Sequence, residues 1–470
     1  MSTETLRSKV ADLLPKSSTE TLRSKVTDLM PQAKSDLTAL VACRSVADLK
    51  QQPKEQCEMA ADWIVKAFTE VGLQEMTRAT TPDGSDCVHG HAPGPEGSPT
   101  VLLYSHYDVQ PPLGADSWRT PVWDLTVGED GRWYGRGASD CKGNVIAHLT
   151  ALRALKALDG SFPVGVKLLI EGSEEQGTEG LDRFVPDNAD LLRADTICMV
   201  DTGNAAVGEP TLTTSLRGIT SVDIKLDALD NAMHSGMFGG PAPDPVTALI
   251  HILASLHDAE GNTTVDGLEN AGKWSGSEYP EAQFHADAHV LDGVSLAGSG
   301  SVADMLWARF DVTTIGIDLP AVDASTPAIQ PSARARVSLR VPPGAVSAEA
   351  LHSLKEHLRS RVPWGLHCTM EDLESGEPFV GALAGPGYDA LKSGLEESYG
   401  KPLATEGQGG SIPLCTVLRS TFPEAEIMLY GVEEPKCLIH APNESVAPSE
   451  IEHIALAEAL FLRKYGSGPA

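Results

Sequence analysis

Five short stretches carry groups that could do chemistry together: Ser105-His106-Tyr107-Asp108, Ser139-Asp140-Cys141-Lys142, Glu174-Glu175, Val200-Asp201-Thr202 and Ile439-His440. Imidazole nitrogens with hard carboxylate oxygens are a donor set that suits divalent transition metals. Several carboxylates around one shared ligand point to a two-metal hydrolytic centre, with Asp140 as the shared group. Each stretch also has a plain reading. His106 could pair with an acid on the surface, Asp140 could sit in a glycine-rich turn, and Glu174-Glu175 could be a solvated acidic pair. Asp201 could cap a helix, and His440 could belong to an ordinary loop. Their conjunction, in the order His, Asp, Glu-Glu, Asp, His, carries the metal reading. His106 and Asp108 are two apart and point the same way if the extended chain continues. A carboxylate placed there can fix the tautomer of a ligating histidine. Adjacent carboxylates on an extended segment point opposite ways, so one of Glu174-Glu175 can bind metal while the other acts as a base. Glycines at 135, 137 and 143 let the chain turn sharply around Asp140.

The elements that must position these groups are legible from periodicity. Thr100-Val-Leu-Leu-Tyr104 is an apolar run of the kind found in strands covered on both faces. It is followed by a predicted helix over Asn144–Leu158, a strand over Val164–Ile170, a helical stretch, and a strand over Thr196–Val200. A helix is also predicted over Glu55–Val71, with apolar Ala60, Ile64, Ala67 and Phe68 at helical spacing and Gly72 as its stop. Strands alternating with helices give an α/β fold whose central sheet is mostly parallel and flanked by helices. His106, Glu174 and Asp201 then fall just past the C-terminal ends of strands, the edge where open α/β sheets place ligands.

After Thr214 the pattern changes to half-exposed strands. Val222, Ile224 and Leu226 alternate with polar residues, as do Val337, Leu339 and Val341, with helices predicted over Pro245–Leu256 and Ala348–Leu358. The expected organisation is a catalytic α/β domain over 36–213 and 379–470, interrupted by a smaller α+β domain over 214–378. The returning segment supplies a loop at Gly409-Gly410-Ser411, a strand over Ile427–Val432, His440 and a final helix. Residues 1–35 contain a duplication, Ser2–Val10 recurring as Ser18–Val26, and each copy is predicted to open a short helix with a Ser/Thr cap.

The bulk numbers exclude some partners. The 470 residues hold 65 acidic and 36 basic side chains, a net charge of −29, which is unsuited to nucleic acid or an anionic membrane surface. The 8 cysteines are scattered with no Cys-x-x-Cys pair, as expected of reduced thiols in the cytoplasm. The start lacks a signal-peptide pattern, and no apolar run reaches membrane-spanning length.

With these residues in view, the chain resembles the M20 family of co-catalytic zinc peptidases from about residue 36 to the C-terminus. The motifs are Ser-His-Tyr-Asp-Val-Gln-Pro (105–111), Tyr-Gly-Arg-Gly-Ala-Ser-Asp-Cys-Lys-Gly (134–143), Glu-Gly-Ser-Glu-Glu (171–175) and Asp-Thr-Gly-Asn (201–204). His-Ser-Gly (234–236), Gly-Gly-Ser-Ile-Pro (409–413) and His-Ala-Pro-Asn-Glu (440–444) complete the set. The resemblance implies two divalent ions bridged by Asp140, with His106 and Asp201 completing one site and Glu175 and His440 the other. Zinc is the implied metal and manganese the alternative. Glu174 would be the general base that moves the proton of the attacking water, and Asp108 would orient His106. The Asp140–Cys141 peptide is expected to be cis, although many dipeptidase members have Asp where this chain has Cys141.

The inserted domain would be a lid that also forms a homodimer. Its His234 would reach the partner's site and stabilise the oxyanion. Arg340 would hold the substrate's C-terminal carboxylate, a task that suits a bidentate guanidinium, and Ser411 would assist it. Taken alone, the first is a plain turn residue, the second an exposed strand arginine and the third part of a flexible loop. Asp at position 201 and the wording of the motifs resemble the carnosinase and cytosolic nonspecific dipeptidase branch, so the implied substrate is a small dipeptide. The alternative is an N-acyl-amino-acid amidohydrolase on the same scaffold. A catalytically silent metal-binding or assembly protein is the third reading, and it would be expected to lack Glu174 or a ligand.

Overall fold

The computed structural model describes residues 18–177 and 180–468. The first copy of the duplication, Ser2–Val10, lies outside the described residues. The second copy does not make a separate short helix. Ser18 accepts a hydrogen bond from the Thr21 N–H at 3.2 Å and opens helix α1 (Thr19–Ala42), which runs 24 residues with Pro31 inside it. Leu22, Val26, Leu37 and Leu40 on this helix are fully buried in the main core. The expected boundary at residue 35 therefore falls within a continuous helix, because apolar residues of the duplicated stretch and of the stretch after it share one buried face.

The chain divides into two compact units, the first made of residues 1–212, 381–404 and 417–470, the second of 213–380 and 405–416. In the first unit, helix α2 (Glu55–Val71) ends at Gly72, whose φ of 111° is open to a residue without Cβ. Strands β1 (Gln74–Thr80), β2 (Asp86–Ala92) and β3 (Thr100–His106) follow, then helix α3 (Lys142–Asp159), β4 (Gly165–Glu171) and β5 (Thr196–Val200). Helix α4 (Pro386–Tyr399), strand β6 (Glu426–Tyr430) and helix α5 (Pro448–Gly466) close the unit. These six of the nine strands of the sheet lie in the order β1-β2-β4-β3-β5-β6. The four strands β4, β3, β5 and β6 run parallel, and β1 and β2 are added antiparallel at one edge.

The apolar runs explain this arrangement. Val101, Leu102, Leu103 and Tyr104 of β3 and Ile197 to Val200 of β5 have no exposed surface. Each such aliphatic side chain contributes roughly 1.5–3 kcal/mol on burial, so the strands that end at the site are among the best anchored in the unit. Helix α3 is buried along nearly its whole length from Lys142 to Leu155.

The second unit has a four-stranded antiparallel sheet in the order Asp311–Asp318, Ser332–Val341, Gly218–Asp227, His367–Gly376. One face packs Val222, Ile224, Leu226, Val337 and Leu339 against the helices Pro245–Ala254 and Ser347–Ser360. Asp223, expected on a half-exposed face, is buried, because Arg334 and Arg336 both donate to its carboxylate. The Gln408–Ser411 loop belongs to this unit by its contacts, although by sequence it follows the return to the first unit. All the cysteines are free, and all are buried except Cys368. Among the described residues, no helix is long and apolar enough to cross a membrane.

Candidate metal centre

β3 delivers His106 as its last residue, and the ring is 1% exposed. Its Nε2 lies 3.0 Å from Asp140 Oδ1 and 3.1 Å from Asp201 Oδ1. On the other side of the shared carboxylate, His440 Nε2 lies 2.9 Å from Asp140 Oδ2 and 3.1 Å from Glu175 Oε2. The five groups singled out as ligands thus converge, with one oxygen of Asp140 toward each histidine. Although close to two carboxylates, His106 Nε2 makes no hydrogen bond, so a buried nitrogen lone pair or N–H is left unsatisfied. A buried polar atom without a partner calls for a ligand, and a nitrogen among carboxylate oxygens fits a divalent cation.

Charge distribution agrees with this fit. Against the cost of burial, His106 and His440 hold Asp140 well below the usual carboxylate range. The carboxylates of Asp140 and Glu175 push His440 up to about 11. The pocket therefore draws positive charge to the points between its carboxylates.

Asp108 does more than the sequence suggested. Its Oδ1 is 3.4 Å from His106 Nδ1, and its backbone carbonyl is 3.1 Å from the same nitrogen. The two carboxylate oxygens also accept the backbone N–H groups of Glu174 and Glu175, each at 3.1 Å. One buried carboxylate thus sets the angle of His106 and of the Glu-Glu pair together. That pair is not extended: it opens the 3₁₀ turn Glu174–Gln176, with Gly177 at φ 57° closing it. Gln110 donates to Glu175 Oε2 at 2.7 Å. Burial and the carboxylates of Asp201 and Glu175 push Glu174 well above the usual carboxylate range, with His106 opposing. Raised proton affinity suits a general base.

Asp140 sits just before α3, and its peptide bond to Cys141 is cis. The turn that holds it is fixed from the far end of the chain. Glu444 accepts hydrogen bonds from the backbone N–H groups of Gly137 (2.9 Å), Ser139 (3.0 Å) and Asp140 (3.1 Å). The same carboxylate pairs with Arg136 at 2.7 Å, and neither side chain is more than 1% exposed. The loop bearing His440 is held further by Arg132, which pairs with Glu434 at 2.6 Å and donates to Ser445 Oγ at 2.8 Å. Removing one partner of a buried pair leaves an uncompensated charge, which costs about 3–5 kcal/mol. Glu444→Ala is accordingly expected to lower the unfolding free energy by an amount of that order, read as a fall in the urea-unfolding midpoint at unchanged m-value. A midpoint equal to wild type would show that the Glu444 contacts do not support the Asp140 turn.

Sequence reasoning missed two neighbours. Glu433 offers an oxygen that lies with one each from Asp140 and Asp201 inside 4.8 Å. Its only signal was its position directly after the apolar run Ile427–Val432, and as part of Glu433-Glu434 it reads as a solvated pair. Cys141 also stands by His106 and Asp201. Its Sγ is engaged with Ser105 Oγ at 2.9 Å and Asn144 Nδ2 at 3.2 Å. The remaining expected residues, His234, Arg340 and Ser411, belong to the second unit. His234 is exposed, and its Nδ1 accepts the Gly236 N–H at 3.1 Å. Arg340 lies opposite Ile219 in the sheet, and Ser411 follows the Gly409-Gly410 loop.

The fold and this cluster together define a known class. The model of peptidase family M20/M25/M40 matches residues 102–464, and the chain belongs to that family. Among individual relatives, it is 44% identical over 413 residues to a cysteinylglycine-S-conjugate dipeptidase of Corynebacterium striatum, covering 87% of this chain and 90% of the relative. It is 28% identical over 419 residues to the Cys-Gly metallodipeptidase of Schizosaccharomyces pombe, covering 84% and 87%. The crystal structure of human carnosine dipeptidase 1 superposes with a TM-score of 0.79 at 21% identity, covering 96% of this chain and 100% of that one.

Proposed function

We propose that the protein is a metallodipeptidase that hydrolyses small dipeptides bearing a free C-terminal carboxylate. The observation that carries this reading is Asp140, whose two oxygens lie 3.0 Å from His106 Nε2 and 2.9 Å from His440 Nε2, so that one carboxylate serves both ligand clusters. His106 and Asp201 would hold one ion, Glu175 and His440 the other, and Asp140 both. Zinc suits these donors, with manganese as the alternative. Two such ions would polarise the scissile carbonyl and lower the pKa of the attacking water.

The chain's own residues account for the rest. Glu174 takes the proton of that water and returns it to the leaving amine, so the step is balanced in protons. Asp108 keeps His106 and Glu174 in fixed relation through the contacts described above. Arg340 and Ser411 are assigned to the C-terminal carboxylate, and His234 to the oxyanion. Homodimerisation belongs to the same proposal, through the resemblance, and is tested by light scattering. The free cysteines support a reducing, cytoplasmic setting. Relatives named for Cys-Gly cleavage make that dipeptide the first to try.

The test is hydrolysis of free dipeptides and matched N-acetyl amino acids by protein loaded with Zn²⁺ or Mn²⁺. Cleavage of dipeptides alone is the expected outcome. Preference for the N-acetyl substrates would move the protein to the amidohydrolases. Dialysis against a chelator is expected to abolish turnover, and adding back Zn²⁺ or Mn²⁺ to restore it. Full activity after metal removal, verified by elemental analysis, would overturn the metal-dependent mechanism.

A further inference from the structure

Arg217 lies just before the Gly218–Asp227 strand of the second unit and is 6% exposed. Its Nε and Nη1 are buried without hydrogen-bond partners. Burial pulls the guanidinium down to about 10, with Asp311 opposing and Arg340 adding to the shift. A buried cation with idle donors is costly and is normally retained where an anion can join it.

The surroundings are built to admit one. Arg217 N–H donates to the Gln408 carbonyl at 3.0 Å, which pins the start of the Gln408–Ser411 loop beside it. A methyl group at Gly409 would lie 3.0 Å from Arg217 Nη2, and one at Gly410 would meet nothing within 4 Å. Gly409 therefore leaves room beside the guanidinium that a side chain would crowd, and Gly410 borders open space. Ser411 Oγ stands 3.7 Å from the position of a methyl at Gly376. Gly376 pairs with Ile219, and the other partner of Ile219 is Arg340. By the period-two alternation of strands, Arg217 and Ile219 share the sheet face of Arg340, opposite the core face of Val222 and Val337. Two arginines, a serine hydroxyl and a glycine loop thus gather on one face within one unit.

We propose that Arg217 is a second carboxylate-binding arginine, acting with Arg340 and Ser411 on the C-terminal carboxylate of a dipeptide and setting the preference for the free acid over its amide. This rests on the dipeptidase reading above for the identity of the ligand. Nη2 shares one edge of the guanidinium with Nε and the other with Nη1, so either idle donor can join it in a two-point grip on a carboxylate, which a lysine ammonium cannot reproduce.

The experiment compares kcat/KM for Cys-Gly and for its C-terminal amide in the metal-loaded full chain, as wild type, Arg217→Met and Arg217→Lys. Arg217→Met is expected to lose about 100-fold on the free acid, chiefly through KM, and under about threefold on the amide. Arg217→Lys, which keeps the charge, is expected to fold as wild type and lose about tenfold on the acid alone. Equal losses on acid and amide in both variants would mean a structural role and overturn the proposal. An unchanged value on the acid would do the same.

If wild type cleaves neither compound, thermal stabilisation by N-acetylglycine against N-acetylglycinamide decides the role of Arg217 separately from the dipeptidase reading. Stabilisation by the acid alone, lost in Arg217→Lys or Arg217→Met, supports the carboxylate site. Equal stabilisation of wild type and both variants, or none of wild type, overturns it.

Discussion

Glu174→Gln is expected to lower kcat on a dipeptide by about a hundred- to ten-thousandfold, the range over which a positioned acid–base group contributes, while metal content stays at the wild-type level. Glutamine keeps the volume and one oxygen of the side chain but cannot take a proton. The metal should be unaffected because the expected ligands are Glu175, His440, Asp140, His106 and Asp201. The 3₁₀ turn is set by the backbone N–H groups of residues 174 and 175, which donate to Asp108 whatever the side chain at 174. Steady-state kinetics with elemental analysis of the same sample makes the measurement. A variant within about tenfold of wild type would remove Glu174 from the proton-transfer role. Parallel loss of metal and activity would instead make it a ligand.

Asp140→Ala is expected to give the largest change of all: loss of bound metal and no detectable turnover. Each histidine Nε2 is about as close to Asp140 as to its other carboxylate. Removing the shared group therefore takes an oxygen from both clusters at once. It also leaves Glu175, Asp201 and Glu433 crowded around fewer positive charges. Asp201→Ala is expected to be milder, because it strips one cluster and leaves Asp140, Glu175 and His440 together. Metal titration by elemental analysis after dialysis distinguishes them: near zero for Asp140→Ala, an intermediate value for Asp201→Ala. Full metal content in Asp140→Ala would exclude a bridging role.

Much of this was legible in the sequence. The strands ending at His106 and Asp201 were visible because buried parallel strands read as unbroken apolar runs, and ligand-bearing loops follow them directly. What sequence left hidden depends on partners far along the chain. Glu444 ended a recognised motif, His-Ala-Pro-Asn-Glu, yet nothing local reveals that its carboxylate gathers backbone donors from residues 137 to 140. Arg217 lies before a strand and reads as an ordinary polar residue. Its interest lies in missing partners, and only coordinates reveal what a side chain does not touch. The Glu174–Gln176 turn was read as extended because a preceding strand gives no sign of where it stops. Helix α1 was divided at residue 35 because the duplication drew a boundary that the apolar spacing of Leu22, Val26, Leu37 and Leu40 ignores.

The dependence of the Asp140 turn on Glu444 has a consequence for biosynthesis. A nascent chain carries His106, Asp140, Glu174, Glu175 and Asp201 long before residues 440 and 444 exist. Until they are made, the turn lacks its acceptor, Arg136 lacks its counter-charge and the second cluster lacks its imidazole. A product truncated before residue 440 would keep His106, Asp140, Glu174, Glu175 and Asp201 yet lack the contacts that His440 makes with Asp140 and Glu175.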